Sequence, residues 1–334
     1  MTKNPAATTE DFNAEIARHQ LLAGWNRRGN PPMWPEPKGD FVPAVWHYAD
    51  AADLLLRSAD HIPAERTERR NLIMVNPSQG NRYPTLKTHV LAYQMVLPRE
   101  RARTHRHSPH AGRVVLESDG AYTIVNGVRI PMKPGDVVLT PGMHWHGHAH
   151  DGTEPAVWVD FLDVPLVQLL EPMFFEPYPG DWQAAERETR DTPLLFPYDA
   201  TKERLAAAEP DATGRYGRRV ELGDPALPTV GLYMQQLEPG ITTSPFRTSA
   251  NYQYVVVEGD GSSVIEGVQV SWSRGDTIAA PSWSGQHHRS EHGAVLLAIT
   301  DEPLQRYCGY LRTEAYEVGS GDRRELTTSE YRVG

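Results

Sequence analysis

The sequence predicts a mainly β protein: two copies of one small antiparallel β-barrel, with an N-terminal helical arm and connector helices. Three observations predict it. From about residue 71 the chain is a series of short β-rich runs, among them "HVLAYQMVLP", "GRVVLES", "AYTIVNGVRIPM" and "AVWVDFLDV", each bounded by Pro, Gly, Asn or Asp. The composition is turn-rich, with 28 Pro and 27 Gly in 334 residues, and Asn126-Gly127 is a strong short hairpin signal. The β-rich pattern also occurs twice. "RVVLESDGAYTIVNGVRIPMKPGDVVLTPG" lines up with "YVVVEGDGSSVIEGVQVSWSRGDTIAAPS", pairing Glu117 with Glu258, Gly135-Asp136 with Gly275-Asp276 and Pro141 with Pro281.

Taken in order, residues 1–70 read as a helical and irregular arm. "TTEDFNAEIARHQLLAGW" opens with an N-cap at Thr8 or Thr9 and acidic residues in its first turn. The loop "NRRGNPPMWPEPKGDFVP" follows, and then "YADAADLLLRSADHI" reads as a second helix. Residues 71–166 form the first barrel. Residues 167–225 form a connector, with helices expected near "WQAAERETR" and "ATKERLAAAEP". Residues 226–315 form the second barrel and 316–334 a C-terminal tail.

Bulk properties exclude several classes. The formal charge is −10 and no long Lys/Arg run appears, which argues against a nucleic-acid partner. No apolar run approaches the roughly 18–20 residues needed to cross a bilayer, and the N-terminus has no apolar signal core. Cys308 is the only cysteine, so no intrachain disulfide can form. These features point to the cytoplasm.

Seven of the 14 histidines fall between positions 105 and 150: His105, His107 and His110 in "RTHRHSPHAG", then His144, His146, His148 and His150 in "MHWHGHAH". Residues i and i+2 on a strand share a face, so His105 and His107 can grip one ion. By the same period His146 and His148 share a face. Arg113, six residues after His107, is expected on the face of His107 if the chain stays extended.

The pattern H-x-H, then "ESDGAYT", "PGD" and "P…H" resembles the double motif of the cupins, small jelly-roll barrels holding a metal at the mouth; two copies resemble a bicupin. "AERTERRNLIMVNP", "QMVLPRERARTHRHSPHAGRVV", "GAYTIVNGVRIPMKPGDVVLTPGMHWHGH" and "VWVDFLDVPLV" are similar to the gentisate and salicylate 1,2-dioxygenases over roughly residues 20–315. The resemblance implies one Fe(II) per chain, in the first barrel, on His105, His107 and His146. Many cupins add a Glu ligand three or four residues after H-x-H; His110 and Ala111 stand there instead. Three neutral imidazoles suit Fe(II) that must hold both oxygen and a chelating substrate.

The resemblance also implies substrate-binding roles for Arg69 (or its neighbour Arg70), Gln94, Arg113 and His148. It gives His148 proton chemistry and has Asp160 orient His148 or a ring substituent. Asp163 reads as a cap of the turn before Pro165, Trp158 as core, and His144 and His150 as lying off the metal. His110 is a departure that could reach the pocket or the rim. In the second barrel Phe246, Thr248 and Gln286 replace the ligands, and His287 and His288 point to opposite faces, so no iron is expected there.

The implied reaction is ring cleavage of a 2-hydroxybenzoate by O2, between the carboxyl-bearing and hydroxyl-bearing carbons. The implied assembly is a homotetramer. Val90, Leu91, Ala92 and "SPHAG" depart from the usual pocket sequence. That favours a 5-substituted salicylate such as 5-nitro- or 5-chlorosalicylate, ahead of gentisate and 1-hydroxy-2-naphthoate. Readings from other classes are a metal isomerase or decarboxylase, which more often keeps the missing Glu, and a non-enzymatic binding cupin.

Overall fold

The structure is a computed structural model describing residues 9–24, 33–62, 69–223 and 226–316. The expected tail beyond 316 and part of the Pro/Gly loop of the arm lie outside these residues. Met1–Lys38 and Gly39–Gly334 form separate compact units. In the first, helix Thr9–Arg18 carries Glu10 and Asp11 in its first turn and Arg18 in its last, as the helix dipole favours.

The second unit is mainly β and holds both barrels. The first barrel is two six-stranded sheets facing each other. One runs in the order Leu195–Phe196, Val137–Thr140, Ala111–Glu117, Ala156–Leu162, Val90–Val96, Arg70–Ile73. The other runs Phe175–Pro177, Arg101–His107, His146–His150, Ala121–Val125, Val128–Pro131, Arg187–Glu188. The Asn126-Gly127 turn joins its two strands through left-handed residues (φ 45° and 80°), the conformation a two-residue hairpin needs. The second barrel repeats the arrangement in a ten-stranded sheet.

Strand alternation sorts the core. Every residue of Val90–Val96 is buried, yet its two faces differ. Leu91, Tyr93 and Met95 join Leu232, Met234, Val255 and Leu297 in a core shared between the barrels. Val96, with Val115, Trp158 and Met132, fills the first barrel. Ala92 and Gln94 lie on that inner face by the same period.

The repeated Gly-Asp pair strap the helices on. Asp136 accepts the N–H of Tyr198, first residue of helix Tyr198–Ala207, at 3.0 Å; Asp276 accepts the N–H of Tyr48, first residue of helix Tyr48–His61, at 2.8 Å. A Cβ on Gly135 or Gly275 would come 2.5 Å from the Tyr198 or Tyr48 ring, and both glycines are left-handed. The helix preceding each barrel is thus fastened to the other barrel.

One expected helix is absent. "WQAAERETR" is irregular and extended: Arg187–Glu188 pairs in parallel with Val128–Arg129, and Arg190 binds Asp136 at 2.8 Å. Ladder pairing on an open sheet edge and a buried counter-ion outweigh its intrinsic helix propensity, which tertiary context readily overrides.

Candidate metal centre and its surroundings

His105 and His107 end strand Arg101–His107, and His105 lies directly opposite His146 on the neighbouring antiparallel strand. The three rings converge, with centroids 4.4 Å (His105–His146), 4.8 Å (His107–His146) and 5.5 Å (His105–His107) apart. One ring nitrogen of each lies within 4.8 Å of the others, the one such grouping of three His, Cys, Asp or Glu among the described residues.

Each imidazole is set by its own backbone. Nδ1–H of His105 donates to Arg103 O (2.8 Å), that of His107 to Pro109 O (2.8 Å) and that of His146 to His144 O (2.9 Å). All three therefore present the Nε2 lone pair, as metal-bound histidines do. Nε2 of His107 is buried without a hydrogen-bond partner. Burial, with Arg69 second, lowers the pKa of His105 to about 2 and that of His107 to about 4; burial and the other two rings hold His146 well below its ordinary value. Three neutral nitrogen donors fit a divalent transition metal.

Arg69 Nη2 lies against Nε2 of His105. Arg70 faces away: it donates to Ile62 O (2.8 Å) and Ser58 O (3.2 Å) at the end of helix Tyr48–His61 and pairs with Glu100 at 3.0 Å.

Arg113 does not continue the strand of His107. The chain turns at 108–110 and enters the opposite sheet, so Arg113 reaches the site from across the barrel. Its Nε is 3.4 Å from Asp160, its cross-strand neighbour, and its Nη1 lies 2.5 and 2.7 Å from the two ring nitrogens of His148. Burial lowers the Arg113 pKa to about 10, still protonated at neutral pH. Burial pushes Asp160 up from the ordinary carboxylate value, and Arg113 pulls it back. A guanidinium has only donors, so it favours neutral His148, whose pKa burial and then Arg113 hold well below normal. Gln94 lies on the same inner face, and both polar atoms of its buried amide are unpartnered.

Trp158 is fully buried and its ring meets both His148 (5.5 Å) and Arg113 (5.6 Å). Asp163 is not a side-chain helix cap. Its carboxylate takes the N–H of His110 (2.8 Å) and the hydroxyl of Thr229 (2.5 Å). His144 and His150 bond locally, to Gly142 O and Glu154 O. Sequence reasoning missed Thr123, 3.0 Å from Nδ1 of His148 and 3.2 Å from Arg113, and Phe175, whose ring stacks 5.2 Å from that of His105. Thr123 carried a weak signal, its place in an alternating strand; Phe175, in the connector, carried none.

The second barrel keeps the geometry without the donors. Phe246 pairs with Gln286 as His105 does with His146, and Tyr254 donates to Gln286 at 2.8 Å. His288 points inward and His287 is partly exposed.

A cupin-domain family matches residues 92–164. The 5-aminosalicylate 1,2-dioxygenase of a Comamonas species is 34% identical, over 96% of this chain and 96% of that protein. A gentisate 1,2-dioxygenase of Aquipseudomonas alcaligenes is 30% identical, over 93% and 98%. The crystal structure of salicylate 1,2-dioxygenase from Pseudoaminobacter salicylatoxidans with gentisate superposes with TM-score 0.84 and 26% identity, covering 96% of this chain and 97% of that one.

Proposed function

The chain belongs to the gentisate and salicylate family of ring-cleaving 1,2-dioxygenases, and from that premise we propose that it is an Fe(II) enzyme for a 5-substituted salicylate. The observation that carries the metal assignment is the common orientation of His105, His107 and His146, each with Nδ1 donating to a backbone carbonyl so that Nε2 is the nitrogen presented to an ion. One ferrous ion per chain, in the first barrel, would supply the redox chemistry and Lewis acidity that O2 and an aromatic ring need to react.

The protein's own part is binding and proton control. Arg69 and Arg113 bring two guanidinium groups to the site, Arg113 beside Asp160, and guanidinium groups are suited to an anionic carboxylate. Arg69, beside His105, is assigned to that carboxylate; Arg113 adds its field from the opposite wall. Neutral His148, held against Arg113, is the group for the proton of the 2-hydroxyl. Asp160 keeps Arg113 in place. The unpartnered amide of Gln94 offers a donor and an acceptor to ring substituents. Both oxygen atoms enter the product as the bond between carboxyl-bearing C1 and hydroxyl-bearing C2 breaks; the ring supplies the electrons and no reductant is consumed.

Two named relatives act on salicylates with a 5-amino or a 5-hydroxyl group, which supports a 5-substituent here. We further propose a cytoplasmic homotetramer, to be checked by light scattering. Oxygen uptake by Fe(II)-loaded protein should be fastest with a 5-substituted salicylate other than gentisate (amino, chloro or nitro). It should be slower with gentisate, salicylate and 1-hydroxy-2-naphthoate, and absent in His146→Ala. A lack of uptake with every substrate would overturn the reading; preference for gentisate or unsubstituted salicylate would overturn its substrate part.

A further inference from the structure

His110 has no part in the chemistry above. It lies in the turn at 108–110 between strands Arg101–His107 and Ala111–Glu117. Its Nδ1 accepts the N–H of Gly142 at 3.0 Å. Gly142 belongs to a different turn, the one leading from Val137–Thr140 into His146–His150. The two turns are in close contact around this bond. A Cβ on Gly142 would stand 2.4 Å from Ser108 O, and the N–H of Met143 donates to His107 O at 2.7 Å.

Each turn also supplies the carbonyl that orients one ligand. Pro109 O, next to His110, takes Nδ1–H of His107; His144 O, two residues after Gly142, takes Nδ1–H of His146. His110 is itself anchored. Its N–H donates to buried Asp163 at 2.8 Å, its C=O accepts the N–H of Asp163 at 3.2 Å, and Thr229 holds the other carboxylate oxygen.

We propose that His110 is a positioning residue of the metal centre: its Nδ1 clips the two ligand-bearing turns together and fixes how His107 and His146 stand to each other. The inference rests on the reading of His105, His107 and His146 as the ligands, and adds a group that touches neither metal nor substrate. What it requires at position 110 is an acceptor where Nδ1 stands. Asn places its Oδ1 there. Gln carries its amide one bond further, near the place of Nε2.

The test is an anaerobic Co(II) titration of the full-length, metal-free protein, followed by visible absorption, with circular-dichroism melts run in parallel. Wild type, His110→Ala, His110→Asn, His110→Gln and His146→Ala are compared. His110→Ala and His110→Gln should weaken Co(II) binding by about tenfold, with His110→Asn restored to within about threefold of wild type. Equal affinity in wild type and His110→Ala would overturn the clip, as would a loss in His110→Asn as large as in His110→Gln. If His110→Ala does not fold, the Asn-against-Gln contrast decides. Wild type with no His146-dependent Co(II) absorption would bring down the metal assignment itself, an outcome distinct from failure of the clip.

Discussion

His288 is an imidazole whose energetics can be read apart from the three-histidine cluster. It is buried in the second barrel, its Nδ1 2.7 Å from the hydroxyl of Ser263, which also takes the indole N–H of Trp272. Burial, with His287 second, lowers its pKa to about 3. Below the unfolded value of about 6.5 the unfolded chain binds a proton that the folded one refuses, so stability is full above that pH and falls as pH drops toward 3. Between pH 6.5 and 5 this one group should cost the wild type about 2 kcal/mol. His288→Gln should lose correspondingly less, as read by urea unfolding at the two pH values; parallel losses would refute the assignment. The same period-two logic that turns His288 inward made His105 and His107 legible as a pair. It could not place Arg113, because a three-residue turn moves it to the other sheet. Nor could it show that Arg70 is tied to a helix end, leaving Arg69 beside His105.

Among the elements, helix Tyr198–Ala207 depends on a residue outside itself. Asp136, in the turn before strand Val137–Thr140, accepts the N–H groups of Tyr198 and Lys133 and pairs with Arg190. Its carboxylate is almost wholly buried, so Asp136→Ala strands two N–H groups and a cation. It should destabilise the fold by about 3–5 kcal/mol, measured by chemical denaturation. A loss under 1 kcal/mol would show the helix to be held by packing alone. The Gly-Asp pair was legible as a repeat, since Gly135-Asp136 and Gly275-Asp276 occupy matched positions. Its purpose was not, because Tyr198 lies 62 residues from Asp136 and Tyr48 228 from Asp276. The absent helix at "WQAAERETR" has a similar cause: its partner is a sheet edge formed far away in sequence.

Across the whole molecule, the two barrels are built to fold as one. Helix Tyr48–His61 precedes the first barrel but is fastened at its N-terminus to the second, and strand Ala44–Trp46 pairs with Thr277–Ala280 there. Helix Tyr198–Ala207 and strand Leu195–Phe196 serve the first barrel in return. Between the barrels, the outward faces of Val90–Val96 and Ala156–Leu162 meet Leu232, Met234, Leu297 and Ile299 in one core, and the Tyr93 hydroxyl donates to Gly275 O at 2.8 Å. The second barrel therefore supports the one that carries the three-histidine cluster by burying the back of its sheet. Leu297→Ala, in the second barrel and remote in sequence from every proposed ligand, removes a fully buried side chain from that shared core. It should cost about 2–5 kcal/mol. Because the core is shared, the loss should lower a single unfolding transition, with near-ultraviolet dichroism and Co(II) absorption at the first-barrel histidines disappearing together. Two transitions, with the Co(II) signal surviving the first, would show that the barrels are independent and that the reciprocal strapping carries no cooperativity.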